Sequence, residues 1–470
     1  MNPLKKLLSQ TAIYGLSSVI GRLLNYLLIP LYTRYFLPAE YGVVTELYAY
    51  VAFLVVVLTY GLETAFFRFS KKDNDAGVVY STALISLIFS SIFFVVFMFI
   101  SSSVIANWMG YAEHNEYIEW FAIIIALDAV SSISFARLRE QDKAIRFALI
   151  RVLNIFVNIG FNLYFIVHKE YGIEYIFISN LIASIGTILL LFPVMFTSVW
   201  RFDKLLWKKM MIYALPLLIA GLAGVTNETI DRILLKHLLN NTEIAASELG
   251  LYGAFYKLSI IMTLFIQTFR FAAEPFFFAQ EKEGNNRKIY ADVMKYFTII
   301  MAIIFLVVTI FYDIVKGFLG SEYHDERGFL VVSILLLANL FLGIYYNLSI
   351  WYKLTEKTKY GAYLSFFGAI ITLVLNFTLI PVIGFVGSAW ATLACYFSMT
   401  GASYFIGRRH FSIPYQTGII SLYLLSMLGI YFIIYFTDSN MWFNSLYLIG
   451  FIVSIFLIEK QNKKVISKPK

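Results

Sequence analysis

Apolar residues dominate this chain in long uninterrupted runs, and short polar gaps separate one run from the next. A membrane-spanning helix needs about 20 mostly apolar residues, and fourteen runs of about that length follow one another. The runs are continuously apolar and do not alternate in polarity, which indicates helices. Their approximate cores are 11–31, 41–66, 79–102, 117–135, 147–167, 173–196, 211–235, 250–276, 293–311, 328–347, 362–379, 386–405, 418–436 and 442–457. The pattern predicts an all-α integral membrane protein with about fourteen transmembrane helices.

Lysine and arginine cluster in every second gap between the runs. The N-terminal Lys5 and Lys6 and the later pair Arg408 and Arg409 belong to basic gaps, whereas Lys169 stands as the only basic residue of an intervening gap. Basic residues in short loops stay on the cytoplasmic side of the membrane. We therefore expect an even number of spans with both termini cytoplasmic. This distribution explains the net charge of +8 without a nucleic acid partner.

Composition excludes a soluble protein and most enzyme classes. Hydrophobic residues make up 60% and charged residues 14% of the chain, against roughly 45–50% and 25% in soluble domains. The first run is too long for the core of a signal peptide, so we expect a retained helix. Cys395 is the only cysteine, and the chain has no phosphate-binding loop and no metal-ligand spacing. We expect no cofactor and no enzymatic activity, and the short gaps indicate that the protein acts within the membrane.

An internal repeat relates the first two runs to the seventh and eighth. Glu40-Tyr41-Gly42-Val43 is echoed by Glu248-Leu249-Gly250-Leu251 after an offset of six helices. An even offset keeps both copies in one orientation, and parallel repeats of this kind build transporters with a central site between two rocking halves. Chance similarity between apolar helices is the alternative. We expect two parallel-related six-helix bundles, 1–204 and 205–410, followed by two accessory helices and a basic cytoplasmic tail in 411–470.

Basic residues inside the predicted helices are candidates for a binding site, because a charge at bilayer depth costs a few kcal/mol or more. These residues lie at different depths on helices one, seven and eight, which belong to opposite halves. They are Arg22, Arg232, Lys257 and Arg270. If they face one cavity, it offers cationic groups along a path across the membrane, suited to an anionic passenger such as a lipid pyrophosphate.

Further polar residues could support this cavity. They are Asn25, Glu63, Asp128, Asn154, Asn158, Glu228, Asp231, Gln267 and Glu274. Asp128 and Asp231 are also candidates for ion coupling. The alternative is structural: Glu228 could pair with Arg232 one helical turn away, and the asparagines could join helices through hydrogen bonds. Lys295 lies so near the inner end of its helix that we expect it to extend its ammonium group to the membrane interface.

Three motifs carry a family resemblance. Ile29–Gly42, with the sequence IPLYTRYFLPAEYG, resembles the first-helix signature of Wzx-type polysaccharide flippases. Thr229–Arg232 together with Leu251–Lys257 resembles their second-half signature, and Ile380–Ala389 is similar to a late turn of these proteins. The similarity extends over nearly the whole chain. Wzx-type flippases belong to the multidrug/oligosaccharidyl-lipid/polysaccharide (MOP) exporter superfamily.

The resemblance implies alternating access between two six-helix bundles. It implies translocation of an undecaprenyl-pyrophosphate-linked oligosaccharide across the bacterial inner membrane for surface polysaccharide such as O-antigen or capsule, with the four basic residues as contacts to pyrophosphate or acidic sugar. The implied partners are this substrate, membrane lipids and the polysaccharide polymerase and chain-length proteins, with the chain itself a monomer. The alternatives are a lipid II flippase, a cation-coupled multidrug exporter and, from another class, a membrane glycan polymerase or ligase.

Overall fold

The computed structural model of the chain describes residues 20–466, except for 22, 25, 71–74, 197–199, 240, 283–286 and 438–439. Every regular element of these described residues is a helix. The structure therefore confirms the all-α class that the apolar runs predict.

The elements of the first part of the described chain are α1 to α9. Their bounds are Leu28–Tyr35 (α1), Pro38–Thr59 (α2), Leu62–Ser70 (α3), Ala76–Met109 (α4), Asn115–Glu140 (α5), Ala144–Asn162 (α6), Glu174–Phe196 (α7), Lys204–Leu238 (α8) and Thr242–Leu258 (α9). A π-helix, Leu163–His168, extends α6. Aspartate side chains cap two of the long helices, because Asp75 accepts a hydrogen bond from the Gly77 amide at 2.7 Å and Asp203 accepts from Leu205 and Leu206 at 2.9 Å.

The second part of the described chain contains α10 to α18. Their bounds are Ile260–Lys282 (α10), Arg287–Ile310 (α11), Tyr312–Lys316 (α12), Gly328–Leu348 (α13), Ile350–Leu354 (α14), Lys359–Ile383 (α15), Phe385–His410 (α16), Thr417–Thr437 (α17) and Met441–Ile466 (α18). A single residue, Gly384, separates α15 from α16. Its φ of +58° is a left-handed value that favours glycine.

The structure contains 11 helices long and apolar enough to cross a membrane, or up to 12 with a bent pair, among the described residues. The bent pair is the eighth predicted run, in which α9 and α10 meet at 45°. The twelfth run forms α16, a helix of 26 residues that is not among these eleven spans. The first run lies mainly outside the described residues. The multi-pass membrane fold is confirmed, and the count of fourteen stays a prediction.

The second predicted run is broken, whereas the sequence suggested one helix. Tyr60 and Gly61 have φ of 34° and 72°, so the chain leaves α2 and re-enters a helix at α3. At Gly61 a β-carbon would lie 3.0 Å from the carbonyl oxygen of Ala214 on α8. The break brings the backbone close to α8, which an uninterrupted helix with a larger residue would prevent.

Two compact units divide the chain, 1–253 with 365–388 and 254–364 with 389–470. The first unit has a core around Phe66, Tyr80 and Met210, each fully or almost fully buried. The second has a core that includes Tyr290 and Ile350. The predicted domain boundaries at 204 and 410 stay predictions. In the division by contacts, the segment 205–253 lies within the first unit.

Large apolar side chains cover the outer faces of the long helices. Phe89, Ile100, Leu189 and Phe436 are 65–80% exposed. Such exposure would be costly in water, whereas in a membrane these side chains contact lipid. The hydrophobic surface agrees with the membrane setting that the sequence predicts.

Candidate functional site

The four basic candidates divide between the two units. Arg22 lies outside the described residues, as does Asn25. Arg232 is on α8 in the first unit, whereas Lys257 and Arg270, on α9 and α10, belong to the second unit. Each environment is therefore described separately.

Arg232 lies in a polar cluster formed by α8 and α9. Its Nη1 donates to the backbone oxygen of Glu228 at 2.7 Å and is 3.8 Å from Oδ1 of Asp231. Asp231 is 3% exposed and accepts a 2.5 Å hydrogen bond from the Tyr252 hydroxyl. The buried carboxylate partly neutralises the guanidinium, as burial of both groups requires. Asp231 thus acts as the acidic partner of Arg232. Its role in ion coupling stays a prediction.

Glu228 presents its side chain at the surface of α8, and its backbone oxygen is the group that contacts Arg232. The two residues are one turn apart, as the sequence pattern predicts. The backbone contact holds the Arg232 guanidinium against the helix.

Arg270 stacks on an aromatic ring in the second unit. Its guanidinium carbon is 4.0 Å from the ring centroid of Tyr346 on α13, which is a cation–π contact. Lys257 is half-buried in the last turn of α9, and Gln267 is half-buried one turn before Arg270. The side chain of Glu274 lies outside the described part of the chain. The stacking on Tyr346 orients the Arg270 guanidinium, and its role as a contact to pyrophosphate stays a prediction.

Glu63 forms an ion pair with Arg139, which joins α3 to α5. The Arg139 guanidinium also lies 4.9 Å from the ring of Phe67. The side chains of the pair are 42% and 32% exposed, so it contributes little to stability. This arrangement favours the structural interpretation of Glu63.

The asparagines of α6 make hydrogen bonds to neighbouring groups. Asn154 donates to Oγ1 of Thr187 on α7 at 2.9 Å and to the Ala183 carbonyl at 3.0 Å. Asn158 accepts from Asn162 at 3.0 Å, and Asn162 in turn accepts from Tyr32 at 2.9 Å. These contacts agree with the structural alternative in which the asparagines join helices.

Asp128 faces α7, where the Ser184 hydroxyl donates to its carboxylate at 3.0 Å. Near it, Asn180 on the same helix donates to the Tyr48 hydroxyl at 2.8 Å. These bonds connect α2, α5 and α7 through polar groups within the first unit. Asp128 therefore lies in a polar layer of that unit, and its role in ion coupling stays a prediction.

Lys295 is buried in an ion pair, and its position at the membrane interface stays a prediction. The residue is 4% exposed, and its Nζ lies 2.6 Å from Oε2 of Glu459 on α18. The Tyr423 hydroxyl on α17 donates to the other carboxylate oxygen at 2.9 Å. A buried acidic partner from a distant helix makes it favourable for the ammonium to remain inside.

A second buried cluster joins α2 to α8. Glu46 is fully buried, and its Oε2 accepts a hydrogen bond from the Tyr111 hydroxyl and lies 3.9 Å from Nζ of Lys236. Burial and the charge of Glu46 raise the pKa of Tyr111, so the phenol keeps its proton and donates it. Glu46 and Lys236 are visible in the sequence as isolated charges. Their wide separation along the chain gives no local signal of pairing.

Comparison with known proteins gives the family and the fold. A family model described as "polysaccharide biosynthesis protein" matches residues 31–326, more than half of the chain. No protein with a curated description matched. The fold is similar to that of the lipid II flippase MurJ in an inward closed conformation, with a TM-score of 0.74 and 16% identity over 97% of this chain and 99% of that one.

Two further solved structures have similar folds. A multidrug resistance MATE family transporter of the MOP superfamily, inward-facing, gives a TM-score of 0.67 at 14% identity over 85% of this chain and 94% of that one. A MOP superfamily transporter from Pyrococcus furiosus gives 0.52 at 13% identity over 86% and 94%. These identities are low, so the likeness is one of fold. The match over residues 31–326 places the chain in the family of polysaccharide biosynthesis proteins.

Proposed function

We propose that the protein is a flippase that moves undecaprenyl-pyrophosphate-linked oligosaccharide repeat units across the bacterial inner membrane by alternating access, for surface polysaccharide biosynthesis. The observation that carries the proposal is membership of a polysaccharide biosynthesis family by a chain of membrane-spanning helices. The similarity to a lipid II flippase over 97% of the chain adds a fold in which a lipid-linked sugar is the passenger. A transporter needs no catalytic group, and in this proposal the protein acts without covalent chemistry.

The basic residues supply the affinity for the passenger. Arg22, Arg232, Lys257 and Arg270 bind the pyrophosphate or acidic sugars in this proposal. Arg270, stacked on Tyr346, and Arg232, held beside Asp231, are oriented by their neighbours before an anion arrives. Such preorganisation reduces the entropy lost on binding. A cation-coupled drug exporter is less well supported, since broad drug efflux favours an acidic, apolar cavity.

The orientation follows from the basic gaps. Both termini face the cytoplasm, so the passenger is loaded at the end of the protein where lysine and arginine cluster. We further propose that the chain works as a monomer and delivers its product to a polysaccharide polymerase with chain-length proteins.

Deletion of the gene tests the function, with analysis of surface glycan and lipid-linked intermediates. We expect surface glycan to be lost and full-length lipid-linked repeat units to accumulate on the cytoplasmic leaflet. Accumulation of unpolymerised units on the periplasmic leaflet would show a polymerase or ligase, and the proposal would be wrong. Complementation with the intact gene is the control.

Lipid II is the second candidate passenger, favoured by the likeness to MurJ. The same deletion distinguishes the two. Loss of lipid II translocation would arrest cell-wall growth and cause lysis, whereas loss of oligosaccharide translocation leaves growth intact and removes surface glycan.

A further inference from the structure

Two glycines related by the internal repeat bring α2 and α9 into backbone contact. A β-carbon on Gly42 would lie 2.0 Å from the carbonyl oxygen of Ala246, and one on Gly250 would lie 1.8 Å from that of Pro38. Neither position has room for any side chain. Helices that cross this closely depend on glycine at the contact.

The contact is reciprocal. Ala246 precedes Gly250 by four residues, and Pro38 precedes Gly42 by four residues. Each glycine therefore meets the residue one turn before its counterpart, as happens when two equivalent surfaces meet across a two-fold axis. The sequence repeat pairs Glu40–Val43 with Glu248–Leu251, so the reciprocal contact is made by the segments that the repeat relates. The repeats touch each other here.

Polar pairs join the same elements beside the crossing. Glu46, one turn beyond Gly42 on α2, lies 3.9 Å from Lys236 on α8. Tyr50, one turn further, has its hydroxyl 2.9 Å from Nε2 of His237, and the imidazole packs on Trp108 at 4.9 Å between ring centroids. Both pairs connect a helix of the first repeat to a helix of the second. Together with the glycines, these pairs form one layer of contacts between the first repeat and the second.

The contact between Glu46 and Lys236 can be broken at little cost. Its Oε1 is buried and accepts no hydrogen bond within the described residues, and the gap of 3.9 Å to Lys236 is longer than that of a close ion pair. A buried charge with one unsatisfied oxygen gains little from remaining shut, because water would satisfy it when the layer opens.

We propose that the α2–α9 crossing, with the Glu46–Lys236 and Tyr50–His237 pairs, is the outer gate of the transporter, shut in this structure. The charge pattern predicts that this end of the helices faces outward, since α2 begins and α8 ends in gaps poor in lysine and arginine. The inference rests on the proposed alternating access. Release of the passenger requires α2 and α9 to separate here while each repeat moves as a body.

A reversible cross-link tests whether the crossing must open. A β-carbon on Gly253 would lie 3.3 Å from that of Thr45, close to the spacing of about 3.5–4.5 Å found in disulfides. The double variant Thr45→Cys with Gly253→Cys is made in a Cys395→Ala background and expressed in cells that lack the chromosomal gene. We expect oxidation to cross-link the protein and to reduce surface glycan at least about tenfold, with recovery on reduction. Continued export by the fully cross-linked protein would overturn the gate and leave the flippase proposal intact.

A labelling measurement decides the question if the reduced double variant fails to export. Leu249 is fully buried on α9, and Leu249→Cys reports opening through reaction with a membrane-impermeant maleimide added outside. We expect Glu46→Gln to increase labelling about threefold or more, because Lys236 loses its charged partner. The matched control, Glu119→Gln, changes a carboxylate bonded to Ser102 within the first repeat and should leave labelling unchanged.

Equal labelling with and without the Glu46→Gln substitution would contradict the gate, as would an equal increase in the Glu119→Gln control. This readout does not depend on any passenger. If gene deletion leaves surface glycan unchanged, the proposed function fails, and the labelling result still decides whether this layer opens.

Discussion

At the scale of single residues, the charges that the sequence marks as passenger contacts are engaged by the protein itself. Arg232 is balanced by the buried Asp231, and Arg270 is stacked on Tyr346. In the proposed function, a phosphate that approaches either guanidinium would meet a donor that is already oriented. The partners would then set an affinity weak enough to allow release of the passenger.

Neutralising Arg270 should weaken export. We expect Arg270→Gln to reduce surface glycan by about tenfold, because a charge-assisted contact to phosphate contributes roughly 1.5–3 kcal/mol. The measurement is glycan restored by the variant in the deletion strain, normalised to protein in the membrane. Arg409→Gln, an exposed change of the same kind at the C-terminal end of α16, should restore export fully. Normal export by Arg270→Gln would remove this residue from the site.

Glycine at the α2–α9 contact should be irreplaceable. We expect Gly42→Ala to lower the free energy of unfolding by about 1–3 kcal/mol, since the added methyl group overlaps a backbone carbonyl. Thermal unfolding in detergent measures this. Gly160→Ala on α6 is the control: nothing lies within 4 Å of the added atom, so helix propensity should make it neutral or slightly stabilising. Equal melting temperatures for the two variants would show that the close contact is absent in solution.

At the scale of elements, α17 and α18 are anchored more firmly than their apolar sequences suggest. The sequence marks them as accessory helices outside the two six-helix bundles. The structure shows Glu459 of α18 bound both by Lys295 of α11 and by Tyr423 of α17. One carboxylate thus connects three helices of the second unit. These bonds fix the position of the accessory pair against the bundle, whereas apolar surfaces alone would allow it to slide in lipid.

Replacing one partner of the Lys295–Glu459 pair should destabilise the fold more than replacing both partners. Lys295→Met leaves the buried Glu459 without its cation, and we expect a loss of about 3–5 kcal/mol in the free energy of unfolding. The double variant Lys295→Met with Glu459→Met should recover most of that loss. A double-mutant cycle measured by unfolding in detergent checks the coupling. Additive effects of the two substitutions would show that the pair does not interact.

At the scale of the whole molecule, the basic gaps assign a direction to the fold. The gap around Glu113 is predicted to be outside and that around Lys143 inside. In the Cys395→Ala background, Glu113→Cys should react with an impermeant maleimide in intact cells, and Lys143→Cys should react only after permeabilisation. Both side chains are exposed, so reactivity reports the side of the membrane and not burial. The reverse pattern would invert the predicted topology and place the proposed gate on the cytoplasmic side.

Much of the architecture was predictable, because long apolar runs and alternating basic gaps follow directly from the bilayer as a solvent. The break at Tyr60 and Gly61 was not, since glycine is common in membrane helices and only the nearby backbone of α8 explains it here. The sequence gives the candidate site only as a set of residue types, and their role in binding stays a prediction. The partners of Arg232 and Arg270 were only partly predictable: Asp231 is adjacent in sequence, whereas Tyr346 lies three helices away along the chain.

By itself the sequence determined the class, the membrane setting and the family resemblance, since these depend on composition and on patterns within short segments. Tertiary structure alone decided that Gly42 and Gly250 meet, that Glu46 lies beside Lys236 and that Lys295 is buried with Glu459. The physical reason is that the free energy of a charge or a glycine in a membrane helix depends on its neighbour. A neighbouring helix supplies the counter-charge or the backbone that such a residue contacts. Helix packing determines that neighbour, and no local pattern encodes it.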